Sequence, residues 1–309
     1  MWFKNLKAYH LTSPIDLNPE DLERSLAAFA FKPCGKQESA SMGWSSPFAA
    51  SGMRSGVSLH HAANDCYWIC LKKQDRILPA SVVNAELTEK VAEIEAQTGS
   101  PVGKKAQQDL RQEIIFNLLP QSFTKNSYTH GVIAGQQNLL LVEASSDGQA
   151  EAFLAYLRKA INSVPAIPLV RQSLQSELTS WVAEHSPERF MLLEEAEFKS
   201  LSEDGAVIRC KNQDLDSDEI KMHLHQGKLV QKVAIEWDER INFILHEDGS
   251  FKRIKFNDVV KEQNEDIPKD DIAAKLDADF ALTSGEILAL VESIKTAIPM
   301  IGDDLASQQ

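Results

Sequence analysis

Residues 205–256, GAVIRCKNQDLDSDEIKMHLHQGKLVQKVAIEWDERINFILHEDGSFKRIKF, decide much of the fold of this chain. In their second half, apolar residues recur at every second position: Val233, Ile235 and Trp237, then Ile241, Phe243 and Leu245, then Ile254 and Phe256. This period is typical of β-strands with one buried and one solvent-exposed face. Polar breaks at 238–240 and at Asp248-Gly249 favour tight turns. We therefore predict three antiparallel strands joined as a meander.

The exposed face of the third strand is basic, with Arg253 and Lys255 alternating with Ile254 and Phe256. The chain around it is acidic, and the net charge is −13. Residues 1–180 hold 17 Lys+Arg and 17 Asp+Glu, whereas residues 181–309 hold 15 and 28, which accounts for the whole excess of acid. An anionic partner would therefore have to meet a segregated basic face. The alternative is that the acid only keeps the protein in solution.

The composition, with 309 residues, 43% hydrophobic and 25% charged, is typical of a globular protein of two or three domains. No apolar run reaches the roughly 18 residues of a membrane helix. The first residues lack the apolar region of a signal peptide, so we expect a cytosolic protein without a membrane partner.

Four scattered cysteines predict no disulfide framework. Cys66 and Cys70 are expected in the core of a strand rather than at a zinc ion.

The remaining patterns predict alternating groups of strands and helices rather than regular βαβ units. Two amphipathic helices between about Pro79 and Leu119 form an inserted helical hairpin. We predict loops or connections at 36–56, 121–125 and 165–168, and an acidic segment at 184–204 that leads to the meander. The fold class is therefore α+β, with mixed antiparallel sheets and covering helices. We expect a central α+β domain from 1–76 and 125–168, a helical tip subdomain at 77–124 and a base α+β domain at 169–309.

Motifs for catalysis or cofactor binding are absent from the sequence. It contains no Gly-x-x-x-x-Gly-Lys-Ser/Thr, no Gly-x-Gly-x-x-Gly and no Gly-x-Ser-x-Gly. We therefore predict no catalytic residues, no metal site and no cofactor. Basic residues remain as candidates for phosphate contact, although each group alone is typical of a solvated surface. The candidates are Lys72, Lys73, Arg76, Lys125, Arg209, Lys211, Lys252, Arg253 and Lys255.

Short sequence blocks spread along the whole chain carry a family resemblance. They are Trp2-Phe3-Lys4-Asn5-Leu6, Phe31-x-Pro33-Cys34-Gly35, Met42-Gly43-Trp44, Ile77-Leu78-Pro79, Leu118-Leu119-Pro120-x-x-Phe123, Glu203-Asp204-Gly205-x-Val207-Ile208-Arg209, Lys211-x-Gln213-Asp214-Leu215, Asp248-Gly249-Ser250-x-Lys252-Arg253, Gln263-Asn264-Glu265-Asp266 and Asp277-Ala278-Asp279-Phe280. Through these blocks the sequence resembles the RdgC family, the recombination-associated proteins of bacteria.

This resemblance implies a DNA-binding protein without sequence preference and without enzymatic activity. Its expected form is a homodimer closed into a ring, with a basic hole around duplex DNA and acid on the outside. The expected partners are duplex and single-stranded DNA and a second copy of the chain. The expected role is nucleoid-associated, restraining RecA-promoted strand exchange. Binding would act through phosphates and depend on salt.

The resemblance also assigns roles to individual residues. Phe123 follows the matched Leu-Leu-Pro and is expected at a dimer contact, the alternative being a local core residue. Lys211, Asn212 and Gln213 match a Lys-Lys-Gln segment in a protruding finger near 205–225, close to DNA. Here Asn212 replaces the second lysine, which removes one positive charge but keeps a group that can hydrogen-bond a phosphate.

A second class of function stays open at this point. The chain could be a protein-interaction module that acts on recombination proteins through its acidic surface, with DNA binding incidental. A hydrolase or metalloenzyme is a third class, but no constellation of residues in the sequence supports it.

Overall fold

Two antiparallel sheets and several helices make up the computed structural model, which describes residues 2–15, 18–51, 58–201, 205–268, 271–299 and 301. The predicted α+β class is confirmed. Glu203 and Asp204, which belong to one of the matched blocks, lie outside the described residues.

Seven strands form the first sheet: β1 (Lys7–Leu11), β2 (Ala40–Ser45), β3 (His60–Ala63), β4 (Cys66–Ile77), β5 (Phe123–Ala134), β6 (Leu139–Val142) and β7 (Ala166–Pro168). Their order is β2-β4-β5-β6-β1-β7, with β3 also paired to β4.

Three predictions of loops or connections were wrong in this sheet. Strand β2 lies in the predicted loop 36–56, β7 replaces the connection 165–168, and β5 begins inside the loop 121–125. Pairing with neighbouring strands, rather than local propensity, decides these segments.

Helices α1 (Pro19–Ala27) and α4 (Asp147–Ile161) cover one face of the seven-stranded sheet. Their apolar residues, among them Leu22, Leu26, Phe153 and Leu157, are buried in one cluster with strand residues such as Ile69 and Leu140. The side chain of Ser146 caps α4 by accepting a hydrogen bond from the Gln149 backbone N–H.

The second sheet has five strands: β8 (Phe190–Ser200), β9 (Val207–Lys211), β10 (Lys228–Trp237), β11 (Ile241–His246) and β12 (Phe251–Phe256), in the order β12-β11-β10-β8-β9. The predicted meander is confirmed as β10-β11-β12. Its turns contain residues with positive φ, namely Asp238 at 49°, Glu239 at 56° and Gly249 at 73°. Strand β8 falls within the acidic segment 184–204, for which no strand was predicted.

The remaining helices are α5 (Gln175–Ala183), α6 (Asp218–His225), α7 (Asp258–Lys261) and α8 (Ile272–Ala297), with 3₁₀ turns at Pro47–Ser51, Leu119–Gln121 and Glu262–Asn264. Helices α5 and α8 share one hydrophobic cluster with the apolar faces of both sheets. In that cluster Trp68 of β4 stacks on Phe280 of α8, with ring centroids 5.1 Å apart. A backbone bridge between Leu6 and Phe251 also connects the two sheets.

The inserted helical hairpin is confirmed as α2 (Ala80–Thr98) and α3 (Lys104–Leu118), which lie between the paired strands β4 and β5. Helix α2 ends at Gly99, whose left-handed φ of 67° suits glycine. Within the two helices, Val83 and Ile114 are buried, while most other positions are half-buried or exposed. The division into central, tip and base domains stays a prediction.

Candidate nucleic-acid interface

One face of the five-stranded sheet carries most of the predicted basic residues. In β8, Glu195 and Glu197 alternate with the buried Ala196 and Phe198, so the two carboxylates lie on the face away from the core. Register pairs place Lys211 beside Glu195 and Arg209 beside Glu197. We call this the polar sheet face and define it by Glu195, Glu197, Glu236, Arg209, Lys211, Lys232, Lys252, Arg253 and Lys255.

A β-bulge in β12 places Arg253 on this face. Lys252 pairs with Ile244 and Lys255 with Asn242, so two residues of β12 oppose the single Phe243 between them. Arg253 adopts a φ of 50°. As a result Phe251, Ile254 and Phe256 are all buried, while the side chain of Arg253 is 57% exposed.

Two carboxylates hold three of the six cations of the polar sheet face in ion pairs, and Lys252 instead donates through Nζ to the Ser145 carbonyl at 2.7 Å. Glu197 accepts from Arg209 Nε at 2.8 Å and from Lys232 Nζ at 2.7 Å. Glu195 accepts from a terminal guanidinium nitrogen of Arg253.

These contacts keep both acids ionised. The hydrogen bond from Arg253 lowers the pKa of Glu195, with Lys211 and Lys232 adding to the effect. Burial acts to raise the pKa of Glu197, but the hydrogen bonds from Lys232 and Arg209 outweigh it and leave that pKa lowered. The face therefore presents fixed charges of both signs, with cations in excess.

The Lys211-Asn212-Gln213 segment follows the edge strand β9. Asn212 has a φ of 51°, a left-handed conformation in which Asn is enriched among non-glycine residues. Gln213 donates through Nε2 to Ser217 Oγ at 3.2 Å. The departure from the matched Lys-Lys-Gln therefore falls at a position where backbone conformation favours Asn over Lys. Protrusion of this segment as a finger stays a prediction.

The other candidate cations lie on the seven-stranded sheet, and three of them, Lys72, Lys73 and Arg76, contact other groups of the protein. Lys72 Nζ is 4.3 Å from the ring centroid of Phe31. Lys73 forms an ion pair with Asp75 at 2.7 Å. The guanidinium of Arg76 donates to the carbonyls of Gly35 at 3.1 Å and Ser122 at 3.3 Å. The exposed Lys125 pairs in register with Asp75.

Phe123 is not a core residue, because its side chain is 84% exposed. Further exposed apolar residues belong to the same region, either in β4 beside Phe123 or in the helical hairpin. Together they are Ile77 at 46%, Val82 at 44% and Phe116 at 55%. We call Ile77, Val82, Phe116 and Phe123 the apolar tip. Ile77 and Phe123 are a register pair, and large apolar side chains exposed next to each other are typical of a protein-interaction surface.

Sequence reasoning missed Glu195, Glu197 and Lys232. The alternation Glu195-Ala196-Glu197-Phe198 was the available signal for the two acids. Among the described residues, no three His, Cys, Asp or Glu side chains are grouped as potential metal ligands. Searching the same residues for a helix long and apolar enough to cross a membrane also finds none.

Comparison with known proteins decides the family. A sequence model for the family described as "Putative exonuclease, RdgC" matches residues 1–300. The chain belongs to the RdgC family. It is 60% identical over 289 residues to the recombination-associated protein RdgC of Pseudoalteromonas atlantica, covering 93% of this chain and 94% of that protein. The RdgC proteins of Serratia proteamaculans and Yersinia enterocolitica are 42% and 41% identical over 300 residues, covering 96% of this chain and 98% of each relative. The predicted family is thus confirmed, and these relatives are named for recombination rather than for an enzymatic activity.

Proposed function

We propose that this chain binds duplex and single-stranded DNA without sequence preference, as a homodimer that encircles DNA, and restrains RecA-promoted strand exchange at the nucleoid. The observation that carries the proposal is the polar sheet face. In a chain with a net charge of −13, six cations, Arg209, Lys211, Lys232, Lys252, Arg253 and Lys255, share one sheet surface. Lysine and arginine on a regular sheet suit a repeating phosphate backbone better than a single small ligand.

The apolar tip supports the homodimer. Its aromatic and aliphatic side chains are exposed, and a second copy of the chain would bury them. Because the apolar tip lies at the ends of β4 and β5 and in the helical hairpin between them, while the polar sheet face belongs to the other sheet, self-association at the tip would leave that face available for DNA.

Binding without sequence preference is tested with two duplexes of unrelated sequence and one single strand, each followed by fluorescence anisotropy. We expect dissociation constants within about threefold for the two duplexes, since phosphate contacts carry no sequence information. A strong preference for one duplex would contradict the proposal.

Encirclement is tested on a plasmid, because a ring slides off the ends of linear DNA but not off a closed circle. We expect slower loss of protein from the circular form than from the linearised form in a high-salt wash. In the same experiment, end-labelled DNA incubated with Mg²⁺ or Mn²⁺ should stay intact. Progressive shortening from the ends would instead support the exonuclease named in the family description.

A further inference from the structure

The ion pair between Glu195 and Arg253 has an unusual reach. Arg253 lies in β12 and Glu195 in β8, so the guanidinium crosses both β11 and β10 to meet the carboxylate. In these two intervening strands Ala234 and Ile244 form a register pair that is almost fully buried, at 8% and 6% exposure. The acid side chain is 27% exposed and the arginine 57%, so the pair is accessible from solvent.

The two arginines of this face are held in different ways. Arg209 contacts Glu197 through Nε, and its two terminal nitrogens are outside that contact. Arg253 contacts Glu195 through a terminal nitrogen, the part of the guanidinium that matches a phosphate or carboxylate. Glu195 therefore occupies a donor that would otherwise be presented to DNA.

We propose that Glu195 is an internal competitor for DNA phosphate, so that binding exchanges the Glu195 carboxylate for a backbone phosphate at Arg253. This inference rests on the proposed function and adds a means of setting affinity. Glu195 stays charged at neutral pH, because the hydrogen bond from Arg253 lowers its pKa. The carboxylate then weakens binding twice, by occupying Arg253 and by repelling the incoming phosphate.

The size of the effect follows from counterion release. One further phosphate contact steepens the dependence of log K on log salt by about 0.9, which near 0.1 M salt is worth up to roughly eightfold in affinity. Glu195→Gln keeps the shape of the side chain and removes its charge. We expect it to bind a 30-base-pair duplex about three- to eightfold more tightly than the wild-type protein.

The matched control is Glu151→Gln, which makes the same change of charge on an exposed position of α4. We expect its affinity to stay within about 1.5-fold of wild type. Glu195→Ala serves as a second variant and should also bind more tightly. Thermal unfolding of each variant confirms that the fold is retained.

A double-mutant cycle with Arg253→Gln separates competition at Arg253 from a general change of charge. In the Arg253→Gln background, Glu195→Gln should add less than about 1.5-fold in affinity. If Glu195→Gln still raises the affinity for the duplex in the Arg253→Gln background, the inference is overturned. It is also overturned if the Glu195→Gln protein binds the duplex no more tightly than the Glu151→Gln control. If the wild-type protein binds no DNA at all, the proposed function fails together with this inference. If it binds and only the Glu195 effect is missing, the inference alone fails.

Discussion

Ile77 and Phe123 face each other at the last register position of the β4–β5 pair, with side chains 46% and 84% exposed. A buried position would normally be expected for two large apolar side chains paired in this way. Their exposure at the base of the helical hairpin indicates a surface that another molecule covers, and we propose that this molecule is a second copy of the chain.

Phe123→Ser should weaken the dimer, because an exposed aromatic at the centre of an interface carries a large share of the binding free energy. We expect a loss of about 2–4 kcal/mol, which raises the dimer dissociation constant at least tenfold. Light scattering across a concentration series measures the change. Met222→Ser, at a 52% exposed position of α6, is the control and should leave the mass unchanged. Equal masses for wild type and Phe123→Ser would remove the tip from the interface.

The buried contact between Trp68 and His130 predicts a loss of stability in acid. Trp68 Nε1 donates to His130 Nδ1 at 3.0 Å, so this ring nitrogen carries no proton and the ring is neutral. Burial lowers the pKa of His130 from 6.5 to about 4. Between these values the unfolded chain binds a proton that the folded chain does not, so stability falls as pH decreases. The loss is about 3 kcal/mol at 1.36 kcal/mol per pKa unit.

Urea unfolding at pH 7 and pH 4.5 measures most of this loss, about 2 kcal/mol, because pH 4.5 is still above the folded-state pKa. His130→Gln should show a smaller difference between the two pH values, because glutamine can accept the Trp68 hydrogen bond without titrating. The exposed His185 provides the comparison, and His185→Gln should keep the wild-type difference. An unchanged difference in His130→Gln would show that other groups cause the acid sensitivity.

Neutralising the basic strand β12 separates DNA binding from protein interaction as the source of function. A triple variant should weaken duplex binding at least tenfold, with Lys252, Arg253 and Lys255 changed together to Gln. Restraint of RecA-promoted strand exchange should disappear in parallel. The control is a triple variant with the same loss of charge, in which Lys36, Lys159 and Lys261 are changed to Gln. If the β12 variant no longer binds DNA but still restrains strand exchange, the acidic surface acts on recombination proteins directly.

Asn212→Lys tests the one departure from the matched Lys-Lys-Gln segment. Next to Lys211, the added charge should tighten duplex binding about three- to eightfold near 0.1 M salt. The left-handed φ of 51° should reduce the free energy of unfolding by up to about 1 kcal/mol. Asn212→Gly should keep the stability and show no gain in affinity. A lysine variant that binds no more tightly would place this segment away from DNA.

The sequence predicted those parts of the fold where local pattern and tertiary structure agree. Alternation in the segments 233–237, 241–245 and 254–256 was sufficient for the meander, and helical periodicity was sufficient for the inserted hairpin. Strand β8 was missed because its register shifts between Leu192 and Ala196, which interrupts the alternation. Strand β2 was missed because its small and polar residues form a strand only through pairing with β4.

The candidate site was predictable only as separate charges. Arg209, Lys211 and Arg253 could be identified as basic residues, but their arrangement around Glu195 and Glu197 depends on strand order. Glu195 and Arg253 are 58 positions apart and lie on strands separated by two others. No local sequence pattern predicts a contact between residues so far apart in the chain.

The salt dependence of duplex binding tests most directly the central claim, that the polar sheet face binds DNA phosphates. It is measured for the wild type and for the triple variant in which Lys252, Arg253 and Lys255 are changed to Gln. Binding through phosphates predicts a linear fall of log K with log salt for the wild type. The variant, with up to three phosphate contacts fewer, should give a slope shallower by up to about 2.7. Identical slopes for the two proteins, or a wild-type affinity that does not change with salt, would contradict DNA binding by the polar sheet face.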